Sequence, residues 1–171
     1  MGIITQLVGV FGIIASVISF QCKKHKSILF FRSLNEFIFA VQYLLLGAYT
    51  GMAMNLIGCV RNFIFTNQIS KGKRTILSTI AFCILFTFFG IFTWQGKKSV
   101  LIIIAKILST LAYGNKNTTI VRAILFVTCT SWLIYNCMVF SIAGVLNEAF
   151  TLISLIIGVI RLDIIPLIKK I

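Results

Sequence analysis

Four ionisable side chains stand inside stretches that are otherwise apolar: Glu36, Arg61, Lys106 and Glu148. Charge at membrane depth is costly and turns toward a protein interior or a water-filled cavity. Two of the four are acids and two are bases, so the first chemistry they offer is pairing. Glu148 falls roughly 6 Å along a helix axis from the start of the last apolar run, and Lys106 roughly 12–15 Å into the fifth, counted from the same side. A lysine stem can cover several ångströms of that gap, which makes a Lys106–Glu148 ion pair the expectation. The alternative is a Lys106 that reaches a watery vestibule and never meets Glu148. Glu36 and Arg61 are expected as the corresponding pair nearer the start of the chain, structural rather than catalytic. Arg32, four residues before Glu36, competes for that acid on one helix face.

Other chemistries find no residues. The chain has one histidine, His25, and one aspartate, Asp163, so no Ser/His/Asp set, metal cluster or phosphate cradle can be assembled. The glycines form neither a GxGxxG nor a P-loop pattern. No enzyme activity, catalytic residue, metal or cofactor is therefore expected. The five cysteines, Cys22, Cys59, Cys83, Cys129 and Cys137, include no CxxC pair and fit no zinc spacing; they read as small apolar residues. A net charge of +13 raises the question of nucleic acid. The bases, however, sit in short clusters between apolar runs, as in Lys23-Lys24-His25-Lys26 and Lys71-Gly72-Lys73-Arg74, with no basic face to follow a phosphate backbone.

The elements that must position the four charges are long and apolar. Hydrophobic residues make up 59% of the 171 and charged residues 11%, where a soluble domain has about 45–50% and about 25%. That surplus needs an apolar solvent. Seven apolar runs, near 3–20, 27–47, 50–66, 75–94, 99–113, 120–140 and 143–160, are expected as membrane-spanning helices joined by short turns. The first run has no basic residues before it and no cleavage pattern after it, so it reads as a retained span rather than a signal peptide. With seven spans and the N-terminus outside, thirteen of the sixteen Lys and Arg residues fall on the cytoplasmic side, only Lys97 and Lys98 outside, and Lys106 within the membrane. Removing the fifth span would split them eight against eight, so the excess of cytoplasmic positive charge supports seven spans with the C-terminus inside. The Phe82–Phe92 stretch is expected to face lipid and Trp94 to lie in an interfacial belt. Gly9, Gly12, Gly51 and Gly58 are places where helices can approach closely.

The chain also repeats at a shift of 93 positions. Phe20 then falls on Tyr113, Lys23 on Lys116, Phe39 on Trp132, Gly51 on Gly144 and Asn55 on Glu148. Three spans, one extra span and three more would give two parallel repeats related by an axis along the membrane normal. Residues 1–66 would form the first three-helix repeat, 67–97 a cytoplasmic loop and linker helix, and 98–171 the second repeat with a short basic C-terminus.

The segments Phe20-Gln21, Leu46-Gly47-Ala48-Tyr49-Thr50-Gly51, Met54-Asn55-Leu56-Ile57, Arg61-Asn62-Phe63, Thr93-Trp94-Gln95-Gly96, Trp132-Leu133-Ile134-Tyr135-Asn136 and Glu148-Ala149-Phe150-Thr151-Leu152-Ile153-Ser154 resemble, in that order, the YgjV family of bacterial inner-membrane proteins. More distantly, a Trp-x-x-Tyr segment followed by a short turn and a polar residue is similar to the SWEET and SemiSWEET sugar carriers of the PQ-loop superfamily. In those carriers the tryptophan and an asparagine sixteen residues later line the solute pocket. The resemblance places Trp132 and Glu148 there in the second repeat, Phe39 and Asn55 in the first, and adds Thr151 and Tyr135 as candidate contacts. The chain departs from the carriers in lacking a proline before Gln21 and in carrying an acid at position 148. The resemblance therefore implies an all-α, seven-helix, SWEET-like fold and a small-solute carrier in the inner membrane, but not a sugar substrate. Paired with Lys106, Glu148 would leave a nearly neutral pocket; unpaired, it would suit proton coupling or a cationic solute. The rival reading is a non-transporting assembly or regulatory partner that keeps the fold. The expected partners are the lipid bilayer and a small solute, without nucleic acid; further copies of the chain are left open.

Overall fold

The computed structural model describes residues 3–21, 25–113, 118–160 and 164–165. Cys22, Lys23, Lys24, Lys116, Arg161, Asp163, Pro166, Lys169 and Lys170 lie outside the described residues, as do the side chains of Phe20, His25 and Lys26. Among the described residues the chain is all-α. Seven helices follow one another: α1 (Ile3–Gln21), α2 (His25–Leu45), α3 (Tyr49–Ser70), α4 (Ile76–Phe92), α5 (Lys97–Tyr113), α6 (Thr118–Met138) and α7 (Ile142–Val159). Each falls on one of the apolar runs. Two of them, over Ile120–Met138 and Ile142–Val159, are long and apolar enough to cross a membrane by length and composition; α1 and α4 are shorter apolar helices.

The turns after α2 and α6 close on backbone hydrogen bonds. After α2, Gly47 takes φ 66°, the left-handed region where a side chain is disfavoured. Its N–H donates to the Leu44 carbonyl and the N–H of Ala48 to the Tyr43 carbonyl, which closes the last turn. Phe140 after α6 takes φ 57° and makes the same closure: its N–H donates to Cys137 O and that of Ser141 to Asn136 O. Here a phenylalanine accepts a conformation that elsewhere among the described residues only glycine adopts. Ser141 then caps α7, its hydroxyl accepting from the Gly144 N–H.

α2 packs between α1 and α3, and α6 between α5 and α7. α4 lies against α3 and α5, α1 meets α7, and α5 also touches α3. The outer surface is apolar: Leu77, Ile3, Phe92 and Phe140 are each more than two-thirds exposed. The interior combines an apolar core with many polar groups, Gln42, Thr50, Arg61, Ser99, Thr110, Asn136 and Ser141 being almost wholly buried. So many buried polar groups under so apolar an outer surface depart from the usual soluble arrangement and suit a lipid solvent. The expectation that the Phe82–Phe92 stretch faces lipid needs correction. Phe88 and Phe92 are exposed, but Phe82 and Phe86 are buried, Phe82 edge-on to Phe65 and Phe86 under the Arg61 guanidinium. One face of α4 is thus core. The described cysteines are all free; Cys59, Cys83 and Cys129 are half-buried and Cys137 is exposed.

Candidate functional site

The buried charges meet where α5 touches α3. Glu36 on α2 is the acid at their centre. Its Oε1 lies 3.3 Å from Lys106 Nζ and 3.5 Å from an Arg61 guanidinium nitrogen, so one carboxylate serves two cations. Arg61 is anchored elsewhere too. It donates to Ser109 Oγ at 3.2 Å and Thr110 Oγ1 at 3.0 Å on α5, and to Asn62 Oδ1 on its own helix at 3.0 Å and 3.3 Å. Its flat cation faces the rings of Tyr113 and Phe86 at 5.0 Å and 5.7 Å. Lys106 Nζ stands 5.2 Å from the centre of the Trp132 ring. Gly58, one turn before Arg61 on α3, leaves the room for this group. A Cβ there would lie 2.7 Å from Lys106 Nζ and closer still to Glu36 Oε2.

The expected Lys106–Glu148 pair is therefore corrected: the ion-pair partner of Lys106 is Glu36. Depth along the helices placed Lys106 near enough to Glu148, but α5 turns its lysine toward α3 and α2, into the space that Gly58 leaves open. Arg32, the competing partner for Glu36, donates to the Tyr113 hydroxyl at 3.0 Å. Glu148 accepts from Asn147 Nδ2 at 3.3 Å, and Asn147 Oδ1 in turn accepts from Asn35 Nδ2 at 3.4 Å.

A cavity of about 310 Å³ opens between these groups. Asn55, Glu148, Phe39, Trp132 and Thr151 all line it, together with Glu36, Arg61 and Lys106. Tyr135 is the exception among the residues singled out from the sequence. It is fully buried outside the lining, with its hydroxyl accepting from the Gly51 N–H at 3.0 Å. That N–H lies in the first turn of α3, where no helical carbonyl is available to it. Tyr135 thus ties α6 to the start of α3 and supports Trp132 and Tyr43 edge-on, at 5.6 Å and 5.8 Å. Tyr135→Phe should therefore cost about 1–2 kcal/mol, read as a lower midpoint of thermal unfolding in detergent, with Tyr49→Phe, exposed at the same helix start, as the silent control.

Several lining residues carried no earlier expectation. Tyr43 stacks on Trp132 at 5.9 Å and donates its hydroxyl to Asn136 Oδ1 at 2.7 Å. Asn35, Asn147 and Asn136 also line the cavity. The signal for them was available: amides inside apolar runs find partners across helices.

Polar side chains bond to one another across one end of the bundle. Gln42 Nε2 donates to Gln6 Oε1 at 3.3 Å, and Ser141 Oγ donates to Gln42 Oε1 at 3.0 Å. Gln6 also donates to Phe140 O and accepts from Ala143 N–H. Beside this, Gln95 Nε2 donates to Gly47 O at 2.6 Å, and the Thr50 hydroxyl meets both Thr93 O and Ser99 Oγ. Toward the other end the cavity lining continues through Arg32, Tyr113, Arg122 and Gly158.

The family model for bacterial inner membrane proteins of the YgjV type matches residues 3–164. The chain belongs to the YgjV family. No curated protein and no solved structure matches it. Membership of the YgjV family places the polar cavity in a bacterial inner membrane protein, where a buried polar chamber is energetically expensive and calls for a function.

Proposed function

We propose that this YgjV-family chain crosses the inner membrane seven times, N-terminus outside and C-terminus cytoplasmic, and works as a SWEET-like carrier of a small solute. The observation that carries the reading is the cavity that reaches Asn55 and Glu148 together. About 310 Å³ lies at the lower end of small-molecule sites. Aromatic walls from Phe39, Tyr43 and Trp132 with a few convergent polar groups are the usual composition of such a site.

The repeat supports the mechanism. Shifted by 93 positions, α2 falls on α6 and the start of α3 on the start of α7. The turn after α2 and the turn after α6 make their backbone bonds at equivalent positions. Tyr43 and Asn136, 93 residues apart, bond to each other at the centre. In this reading α1–α3 and α5–α7 are the two halves that rock about the cavity, and α4 is the linker. The glutamine and serine bonds close the outer side, the lining toward Arg32 and Arg122 faces the cytoplasm, and the apolar outer faces meet lipid. Asn55 and Glu148 contact solute, Phe39 and Trp132 pack against it, and Thr151 lies one helical turn beyond Glu148.

Flux into proteoliposomes tests the reading. Uptake of at least one solute from a panel of sugars, organic acids, amines and amino acids is expected, falling at least tenfold in Asn55→Ala and Glu148→Gln. No flux across the panel by the folded protein would move the assignment to a non-transporting membrane partner.

A further inference from the structure

The two halves meet along two seams, α3 against α5 and α1 against α7. A shift of 93 positions lays α1 on α5 and α3 on α7, so the two seams match position by position. Near the starts of α3 and α7 they are bonded alike. The Thr50 hydroxyl meets Ser99 Oγ across the first seam, and Gln6 Oε1 accepts from the Ala143 N–H across the second, at matching positions.

Farther along they differ. Arg61 reaches from α3 to Ser109 and Thr110 on α5, and Lys106 on α5 pairs with Glu36. The positions matching Arg61, Ser109, Lys106 and Glu36 are Ser154, Ser16, Ile13 and Cys129. None of these is a base or a carboxylate. Ser154 bonds back to Phe150 O on its own helix, and among the described residues no hydrogen bond joins α1 to α7 at this level. Arg61 and Ser109 are 1% and 8% exposed, whereas Ser16 is half-buried and Ser154 exposed.

The cavity follows this difference. Along α3 its lining ends at Arg61; Asn62 and Phe65 beyond it are buried outside the lining, Phe65 against Phe82. Along α7 the lining runs past Ser154 to Leu155 and Gly158 in the last turn of the helix, and Ser16 lines it from α1. A Cβ at Gly158 would meet nothing nearer than Arg122 Cδ at 3.9 Å. Parting α3 from α5 would break a buried ion pair and strand its charges. The Gln6 bonds to Phe140 and Ala143 join neutral groups, each bond of modest net worth.

We infer that the cavity opens at the C-terminal end of α7, through the gap between α1 and α7 lined by Ser16, Thr151, Ser154 and Gly158, and that the seam between α3 and α5 stays shut. The inference rests on the carrier reading only in sending the solute along this path and in calling that end cytoplasmic. The opening itself is tested without a solute.

The test is thiol modification of the full chain in sealed membrane vesicles of both orientations. Thr151→Cys reports on the cavity and Thr110→Cys, at a position wholly buried between α3 and α5, reports on the closed seam within the same molecule. The probe is a membrane-impermeant trimethylammonium methanethiosulfonate, and peptide mass mapping separates the introduced cysteines from the native ones. The cysteine at 151 should react from the cytoplasmic side at least tenfold faster than from the other side, and at least tenfold faster than the one at 110. Gly158→Trp should slow it at least tenfold, whereas Ile157→Trp, exposed and outside the lining, should leave it unchanged. Ser154→Trp and Ser99→Cys stand in where Gly158→Trp or Thr110→Cys does not fold. A cysteine at 151 that reacts only after unfolding, a rate unchanged by a tryptophan in the gap, or a seam cysteine that reacts as fast as the cavity one would each overturn the inference. Reaction from the opposite side, still blocked by Gly158→Trp, would keep the opening and reverse the orientation. In proteoliposomes Gly158→Trp should lower the flux of any carried solute at least tenfold; unchanged flux would overturn the inference and leave the carrier standing. Blocked modification with no flux in the unaltered chain would keep the opening and remove the carrier.

Discussion

Replacing Glu36 with glutamine should destabilise the protein by about 3–5 kcal/mol, the usual cost of removing one member of a buried ion pair. The reason is the geometry around its Oε1, which meets Lys106 at 3.3 Å and Arg61 at 3.5 Å. Without the carboxylate, two cations face each other in a space where Arg61 is 1% and Lys106 4% exposed. Arg61 keeps its bonds to Ser109, Thr110 and Asn62, so Lys106 is the cation left stranded. Lys106→Met in the Glu36→Gln background should therefore recover a large part of the loss, and in a double-mutant cycle the two sites should couple by more than 1 kcal/mol. Glu148→Gln in the same assay should change stability much less, because its carboxylate accepts from a neutral amide, Asn147, and makes no ion pair with Lys106. Reversible unfolding in mixed micelles measures all four. Equal losses for Glu36→Gln and Glu148→Gln would contradict the observed pairing.

How far the sequence reaches can be judged from Lys106 itself. Hydrophobic run length placed all seven helices to within a few residues, since a polar backbone and an apolar surface leave few alternatives. Asn55, Phe39, Trp132, Glu148 and Thr151, singled out by the resemblance to the carriers, all line one cavity. The partner of Lys106 is not legible in the same way. Sequence position gives the depth of a side chain along a helix axis, but its direction around the axis depends on which neighbours the helix packs against, and α5 packs on α3 as well as α6. The same limit separated Tyr135 from Trp132: three residues apart on α6, one reaches the cavity and the other turns to Gly51. It also separated Phe82 and Phe86 from Phe88 and Phe92. Gly58 was visible as a place for close approach, but that a lysine and a glutamate rather than a second helix backbone fill the space required the packing.

Gly58→Ala should destabilise the protein strongly, through the charged cluster rather than through helix packing alone. A Cβ at that position meets Glu36 Oε2 and Lys106 Nζ, the latter at 2.7 Å, closer than non-bonded atoms settle. Either the methyl forces α3 away from α2 and α5, or the two charged groups move apart. Overpacking alone costs about 1–3 kcal/mol, and a loosened buried ion pair adds to it, so a loss of about 3 kcal/mol or more is expected. The intrinsic preference of a helix for alanine over glycine, about 1 kcal/mol, works in the opposite direction and makes a net loss the more diagnostic. Lys106→Met in the Gly58→Ala background tests which group bears the strain. It removes Nζ but leaves Glu36 against the new methyl, so it should restore only part of the stability. Because the displaced groups line the cavity, Gly58→Ala should also lower solute flux per folded molecule in proteoliposomes, whereas a glycine that served only helix packing would lose stability and leave that flux unchanged.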